Sequence, residues 1–196
     1  MQKPFSESCE QNKHVILGVL KHEFSGVNNV LEIGSGTGQH AVFFAKYLTH
    51  LNWQCSDRNS ELDGINVWLN EANLKNCLKP IALDVSSSQW PNKKYDAVFS
   101  ANAVHIMSWQ DVEALFTGLN DCLSDHAVIC LYGPFNYAGK FTSESNARFD
   151  QWLKQRNPLS GIRDMEKINQ LAEQCGLTLS NDHEMPANNR ILCWQK

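Results

Sequence analysis

The stretch Val30-Leu31-Glu32-Ile33-Gly34-Ser35-Gly36-Thr37-Gly38-Gln39-His40 decides how this chain folds. An apolar strand runs into three alternating glycines and then directly into a helical pattern. Glycines at 34, 36 and 38 let the backbone turn sharply, and they let a ligand lie against the main chain where a Cβ would collide. A ligand held by close backbone approach is therefore expected at this turn. The spacing argues about which one. A dinucleotide fingerprint needs G-x-G-x-x-G, but here the third glycine comes one position early and Gln39 stands where it is required. A nucleotide-binding P-loop needs Gly-Lys-Ser/Thr, and this chain has Gly-Gln-His.

Outward from the turn, apolar runs of strand length alternate with stretches patterned at helical spacing, the order that a parallel sheet with crossover helices requires. Strands are expected at 29–33, 52–56, 79–83, 95–101, 126–133, 178–185 and 190–195. Helices are expected at 7–23, 40–48, 60–72, 109–122, 143–156 and 164–175. Only Pro186 to Asn189 separates the last two strands, too little for a crossover helix, so they should pair as an antiparallel hairpin. The expectation is an α/β fold whose seven-stranded, mostly parallel sheet carries helices on both faces. At 196 residues, one domain over 1–196 is expected, with residues 1–25 as a helical cap that closes over the site.

Composition narrows the function. Apolar residues make up 42% and charged residues 19%, which excludes a disordered chain. A net charge of −4 and the lack of any Lys/Arg run argue against nucleic acid as a partner. No apolar stretch approaches the roughly 18 to 20 residues that span a bilayer, and the start of the chain is polar, so no membrane partner and a cytoplasmic location are expected. The seven cysteines are odd in number and scattered, with no CxxC, so reduced buried thiols and no metal site are expected.

With the chemistry-bearing residues laid out, Glu32, Gly34, Gly36 and Gly38 after a strand resemble motif I of the class I S-adenosylmethionine-dependent methyltransferases. Asp57 closes the second strand in WQCSDRN, where the resemblance implies a carboxylate that accepts both ribose hydroxyls. Asp84, in IALDV, implies an acceptor for the adenine amino group, with Val85 against the ring. The segment YDAVFSANAVHI is similar to motif IV and places Asn102, Ala103 and His105 beside the sulfonium and the substrate. More closely, GSGTGQHAVFFA, WQCSD, ANAVHI and LYGPF, with Asn12-Lys13 ahead of them, resemble the small family of methyltransferase-like protein 26, labelled domain of unknown function 938 (DUF938). The resemblance covers essentially the whole chain. It implies a Rossmann-like methyltransferase fold, S-adenosyl-L-methionine as cofactor and S-adenosyl-L-homocysteine as product. Ser35, Gln39, His40 and Arg58 are expected as further cofactor contacts.

Each of these residues also has a plainer reading. Glu32 can touch the cofactor indirectly or accept hydrogen bonds from the glycine-loop amides. Asp57 and Asp84 can be helix N-caps, and Gln39 and His40 simple first-turn residues. His105 is the catalytic candidate, able to take a proton from a nucleophile, or else it packs against Trp109 or bonds a loop carbonyl. Tyr132, Asn136 and Tyr137 are expected around the acceptor, as are Asn12 and Lys13, with His14, at the start of the first helix. The aromatics near 132–152 fit either an acceptor pocket or an interface. Arg148, Arg156 and Arg163 either attract an acidic acceptor or are solvated. Three functions stay open: a methyltransferase acting on a small molecule, one acting on protein or RNA, and a cofactor-binding partner protein without catalysis. A small-molecule acceptor is favoured, and Ser100-Ala101-Asn102-Ala103 stands where an Asn-Pro-Pro-Tyr motif would have indicated amide or base nitrogen.

Overall fold

The computed structural model describes residues 3–87 and 89–196. In chain order the elements are α1 (Glu7–Glu23), β1 (Asn29–Ile33), α2 (Gln39–Tyr47), β2 (Asn52–Asp57), α3 (Leu62–Ala72), β3 (Cys77–Ala82), β4 (Tyr95–Ala101), α4 (Trp109–Cys122), β5 (Leu123–Gly133), β6 (Phe135–Asn136), α5 (Glu144–Arg156), β7 (Arg163–Asp164), α6 (Met165–Gln174), β8 (Thr178–Met185) and β9 (Asn189–Gln195). Single turns of 3-10 helix at Asn59–Glu61 and Pro186–Asn188 complete them.

Seven strands form one sheet in the order β3-β2-β1-β4-β5-β9-β8. All neighbours are parallel except β9, which runs antiparallel between β5 and β8. This is the Rossmann-like methyltransferase architecture, with the C-terminal hairpin expected from the short Pro186–Asn189 link. Strand order reverses between β1 and β4, and a doubly wound sheet opens its crevice beyond the carboxyl ends of the strands at that reversal. The glycine turn after β1 and the Asn102–His105 segment after β4 face each other there.

Period-2 alternation sorts the strand residues onto two faces. On one, Leu31, Val98, Ile129 and Leu192 pack with Val112, Leu115, Phe116 and Leu119 of α4 and Ile168 and Ala172 of α6. On the other, Val30, Trp53, Phe99 and Ile191 pack with Ile16 and Leu20 of α1 and Phe44 of α2. The capping of α4 is written in its sequence: the Ser108 hydroxyl accepts the Asp111 N–H at 3.1 Å while the Asp111 carboxylate accepts the Ser108 N–H at 3.1 Å.

Several expectations need correction. Strand β5 begins at Leu123 rather than His126, because it leaves α4 without a connecting loop. Strand β3 spans Cys77–Ala82 instead of 79–83. The small parallel pairing of β6 with β7 was not foreseen, since two residues on each side are too short to show any period. No described helix is long and apolar enough to cross a membrane.

Candidate functional site

The glycine turn is built by backbone geometry. All three glycines lie in the left-handed region, with φ of 73° at Gly34, 56° at Gly36 and 86° at Gly38. The amides of Gly34 and Ser35 both donate to the Ser56 carbonyl at 3.0 Å, which ties the turn to the end of β2. A Cβ on Gly34 would stand 3.1 Å from that of Ala103, and one on Gly38 would stand 3.2 Å from the Ile65 Cα. At Gly36 a Cβ would meet nothing within 4 Å, so this residue faces open space. That space is a cleft of about 1380 Å³. It is larger than the roughly 300–1,000 Å³ of a pocket for one drug-sized ligand, so two molecules can lie side by side.

Asp57 stands on the cleft wall. Its Oδ2 accepts the Gly36 N–H and its Oδ1 the Arg58 N–H, both at 2.7 Å. Burial pushes its carboxyl up, and the two amides pull it back. It caps no helix through its side chain, since the following 3-10 turn is without a side-chain cap. Asp84 also lines the cleft, as do Arg58, Leu83 and Val85. Its Oδ1 accepts the Ser86 hydroxyl at 2.7 Å and the Ser86 N–H at 3.0 Å, holding a turn rather than a helix start. Those bonds lower its carboxyl.

Glu32 lies off the cleft wall, buried behind the turn. It accepts the Ser35 hydroxyl at 2.9 Å and the Trp53 indole N–H at 3.0 Å, not the glycine-loop amides. Burial raises its carboxyl to about 7. Gln39 is likewise turned away. Its Oε1 accepts the Ser6 amide at 2.5 Å, and its Nε2 donates to Glu10 at 2.8 Å. It therefore latches the start of α1 onto the start of α2. His40 does reach the cleft, with Nε2 2.7 Å from the Asn12 Oδ1 and Nδ1 3.9 Å from the Cys9 sulfur. Burial lowers it to about 4, so it is neutral and donates from Nε2 to Asn12.

The α1 helix walls the cleft through Cys9, Asn12 and Val15, together with its N-cap Ser6. Lys13 is not on that wall: it pairs with Glu10 and lies 5.0 Å over the Phe43 ring, and His14 packs on the same ring. Tyr132 lines the cleft beside Asn12 and Asn189, and burial raises its hydroxyl. Asn136 and Tyr137 are also corrections. Asn136 is buried in β6 away from the cleft, and the Tyr137 hydroxyl donates to Asp182 at 2.7 Å on the hairpin. Both follow Pro134, where the chain leaves the carboxyl end of β5, so their side chains no longer face the strand ends.

Asn102 adopts φ 57°, and its amide donates to the Tyr132 carbonyl at 2.8 Å. Asn tolerates this conformation better than most residues. Beyond it, His105 lines the cleft edge-on to Phe149, with centroids 5.3 Å apart, and not against Trp109. Burial, then the nearby Arg163 cation, lowers it to about 4. A set of bonds fixes its backbone. The His105 carbonyl accepts the Gly161 N–H at 2.9 Å, and the Ile106 carbonyl accepts the Ser160 hydroxyl at 2.7 Å. Arg163 donates to the carbonyls of Val104, Met107 and Leu159. It is thus a strut for this loop, not a free cation. Arg148 pairs with Glu144, and Arg156 lies over the Trp152 ring.

The other half of the cleft is lined by Ile106, Met107, Phe149, Trp152, Leu153 and Leu159. Phe149 and Trp152 fall among the aromatics near 132–152 that the sequence left open between an acceptor pocket and an interface; the other four it did not single out. The spacing of Phe149, Trp152 and Leu153 on one helical face was the available signal. Pro186, Ala187 and Asn189 of the hairpin link close the rim.

A family model described as protein of unknown function (DUF938) matches residues 3–196. Among solved structures, the S-adenosylmethionine-dependent methyltransferase SibL in its apo form superposes with a TM-score of 0.81 at 20% identity, covering 96% of this chain and 55% of that one. The mitomycin 7-O-methyltransferase MmcR matches with a TM-score of 0.83 at 15% identity, over 96% of this chain and 54% of its own. PigF with SAH gives 0.81 at 12% identity, over 96% and 56%. The chain spans about half the length of these proteins, and the likeness establishes the fold.

Proposed function

The chain belongs to the DUF938 family, and from that premise we propose that it binds S-adenosylmethionine and transfers the methyl group to a small, uncharged acceptor with an apolar body. The observation that carries this reading is the meeting, at one end of the cleft, of the open backbone at Gly36 with the carboxylates of Asp57 and Asp84. These groups fit the cofactor. Each Asp57 oxygen accepts one backbone amide and keeps acceptor capacity for a diol. Leu83 and Val85 offer an apolar slot beside Asp84 for a base, and Gly36 leaves room where a side chain would intrude.

When bound, the cofactor supplies a methyl group on a sulfonium, already activated for in-line displacement. The protein's own work is then orientation and exclusion of water, which can supply roughly 7 to 11 kcal/mol. Asn102 and Ala103, beside Gly34, stand at the junction of the two cleft halves. His105, neutral at physiological pH, offers a ring nitrogen to receive the proton of a hydroxyl nucleophile.

The acceptor half supports a neutral partner. Every arginine near it is committed: Arg163 to three carbonyls, Arg148 to Glu144 and Arg156 to the Trp152 face. Lys154 pairs with Asp150 at 2.6 Å. Such a wall has little to hold a phosphate backbone or an acidic peptide. MmcR, named a mitomycin 7-O-methyltransferase, agrees with a small-molecule acceptor, and SibL, named an S-adenosylmethionine-dependent methyltransferase, agrees with the cofactor.

Calorimetric titration with S-adenosylmethionine and S-adenosylhomocysteine tests it, with NADH as control. We expect saturable binding of both sulfur compounds, weakened about 10- to 100-fold by Asp57→Ala, since hydrogen bonds to a charged group contribute about 1.5–3 kcal/mol. Heat from NADH alone would return the turn to the dinucleotide reading.

A further inference from the structure

The last turn of α1 and the strands β8 and β9 bring three metal-ligating side chains together under α1. Glu23 Oε1 lies 2.8 Å from His183 Nε2, and Glu23, His183 and Cys193 each place one ligand atom within 4.8 Å of the others. Cys130 stands opposite Cys193 in the antiparallel β5–β9 register, with its sulfur 3.1 Å away. None of the four lines the cleft. Cysteine spacing along the chain gave no sign of this, because sheet register rather than sequence proximity assembles the group.

A Glu–His pair anchoring α1 to the hairpin accounts for only part of the arrangement. The buried carboxylate is costly unless compensated, and Asn181 Nδ2 at 3.1 Å, His183 at 2.8 Å and His22 at 3.4 Å all converge on its Oε1. The buried Cys193 thiol also converges on the pair, with the Cys130 sulfur 3.1 Å behind it.

We propose that this cluster is a zinc site. Mixed sulfur, nitrogen and oxygen donors suit Zn²⁺, with the Cys193 thiolate, the His183 Nε2 and the Glu23 carboxylate as its three protein ligands and the fourth position left to water. Half-exposed His183 provides the entry route. Asn181 donates to the carboxylate ligand from outside the coordination sphere. The ion ties the end of α1 to the hairpin, and the first turns of the same helix wall the cleft.

The test is zinc binding by the reduced, chelator-stripped full chain in competition with a chromophoric chelator. One zinc per chain is expected, lost in Cys193→Ser, weakened about 10- to 100-fold in Asn181→Ala, and retained in Cys77→Ser on the far edge of the sheet. Should Cys193→Ser fail to fold, cobalt added to the wild-type chain decides: a thiolate-to-cobalt charge-transfer band supports the site. No stoichiometric zinc, zinc retained by Cys193→Ser, or cobalt without a sulfur band would overturn it.

Discussion

The Asp57 carboxylate accepts the amide N–H of Gly36 at 2.7 Å, joining the end of β2 to the middle of the glycine turn. One contact thereby sets both the shape of the turn and the direction of the carboxylate. Gly36 faces the cleft while Gly38, two residues on, faces α3, so their glycine requirements differ. Left-handed backbone costs a residue with a Cβ about 1–2 kcal/mol, and each kcal/mol lowers the melting temperature about 2–4 °C in a chain of this size. Gly36→Ala should pay little beyond that strain yet lose cofactor binding. Gly38→Ala adds the clash with Ile65 and should melt lower. Thermal denaturation of the two variants checks this, and equal losses would contradict it.

Glu32 should make stability depend on pH. Its folded carboxyl sits at about 7, raised by burial from an ordinary value of 4.5, so the folded state holds a proton that the unfolded chain releases. The contribution is complete below pH 4.5 and disappears as pH rises through about 7. Glu32→Gln should flatten the fall of stability across this window in urea denaturation. An unchanged slope would show that Glu32 is not its source.

His105 should behave in the opposite sense. Its folded value of about 4 lies below the ordinary 6.5, so its contribution is complete above pH 6.5 and is lost as pH falls toward 4. Its ring carbon-bound proton resonance should hold the neutral position from pH 8 to below 6. A midpoint near 6.5 would place the ring in water instead. Once an acceptor is in hand, His105→Asn should slow transfer by roughly 10²- to 10⁴-fold with cofactor affinity unchanged.

Gly118 opposes helix propensity to packing. Replacing a mid-helix glycine by alanine usually stabilises by about 0.5–1 kcal/mol. Here the new Cβ would stand 1.8 Å from the Trp90 ring, which packs against the core. Overpacking costs about 1–3 kcal/mol, so Gly118→Ala should lower the midpoint of denaturation. A rise would mean that Trp90 moves aside freely.

Much of the glycine-turn end of the cleft was legible in the sequence. Gly34, Gly36, Asp57, Asp84 and Asn102 are each tied to the end of a strand, and strand ends can be found from apolar runs and the turns that stop them. The apolar end was harder to find. Phe149 and Trp152 come from α5, and Leu159 and Pro186 from loops, none marked by a local motif. Asn136 and Tyr137 were placed near the acceptor because they follow β5 closely, but Pro134 redirects the chain. Arg163 read as a free charge because the three carbonyls it binds lie four to fifty-nine positions away.

By itself the sequence determined the alternation of strands and helices, the antiparallel ending and the glycine turn, because each depends on residues within a few turns of one another. Only the tertiary structure decided that Glu32 and Gln39 face away from the cleft, that Arg163 is a strut for the His105 loop, and that Glu23, His183 and Cys193 meet. Those facts depend on sheet register and on how crossover helices pack, and the side chains concerned are brought together from distant segments only when the two cores close.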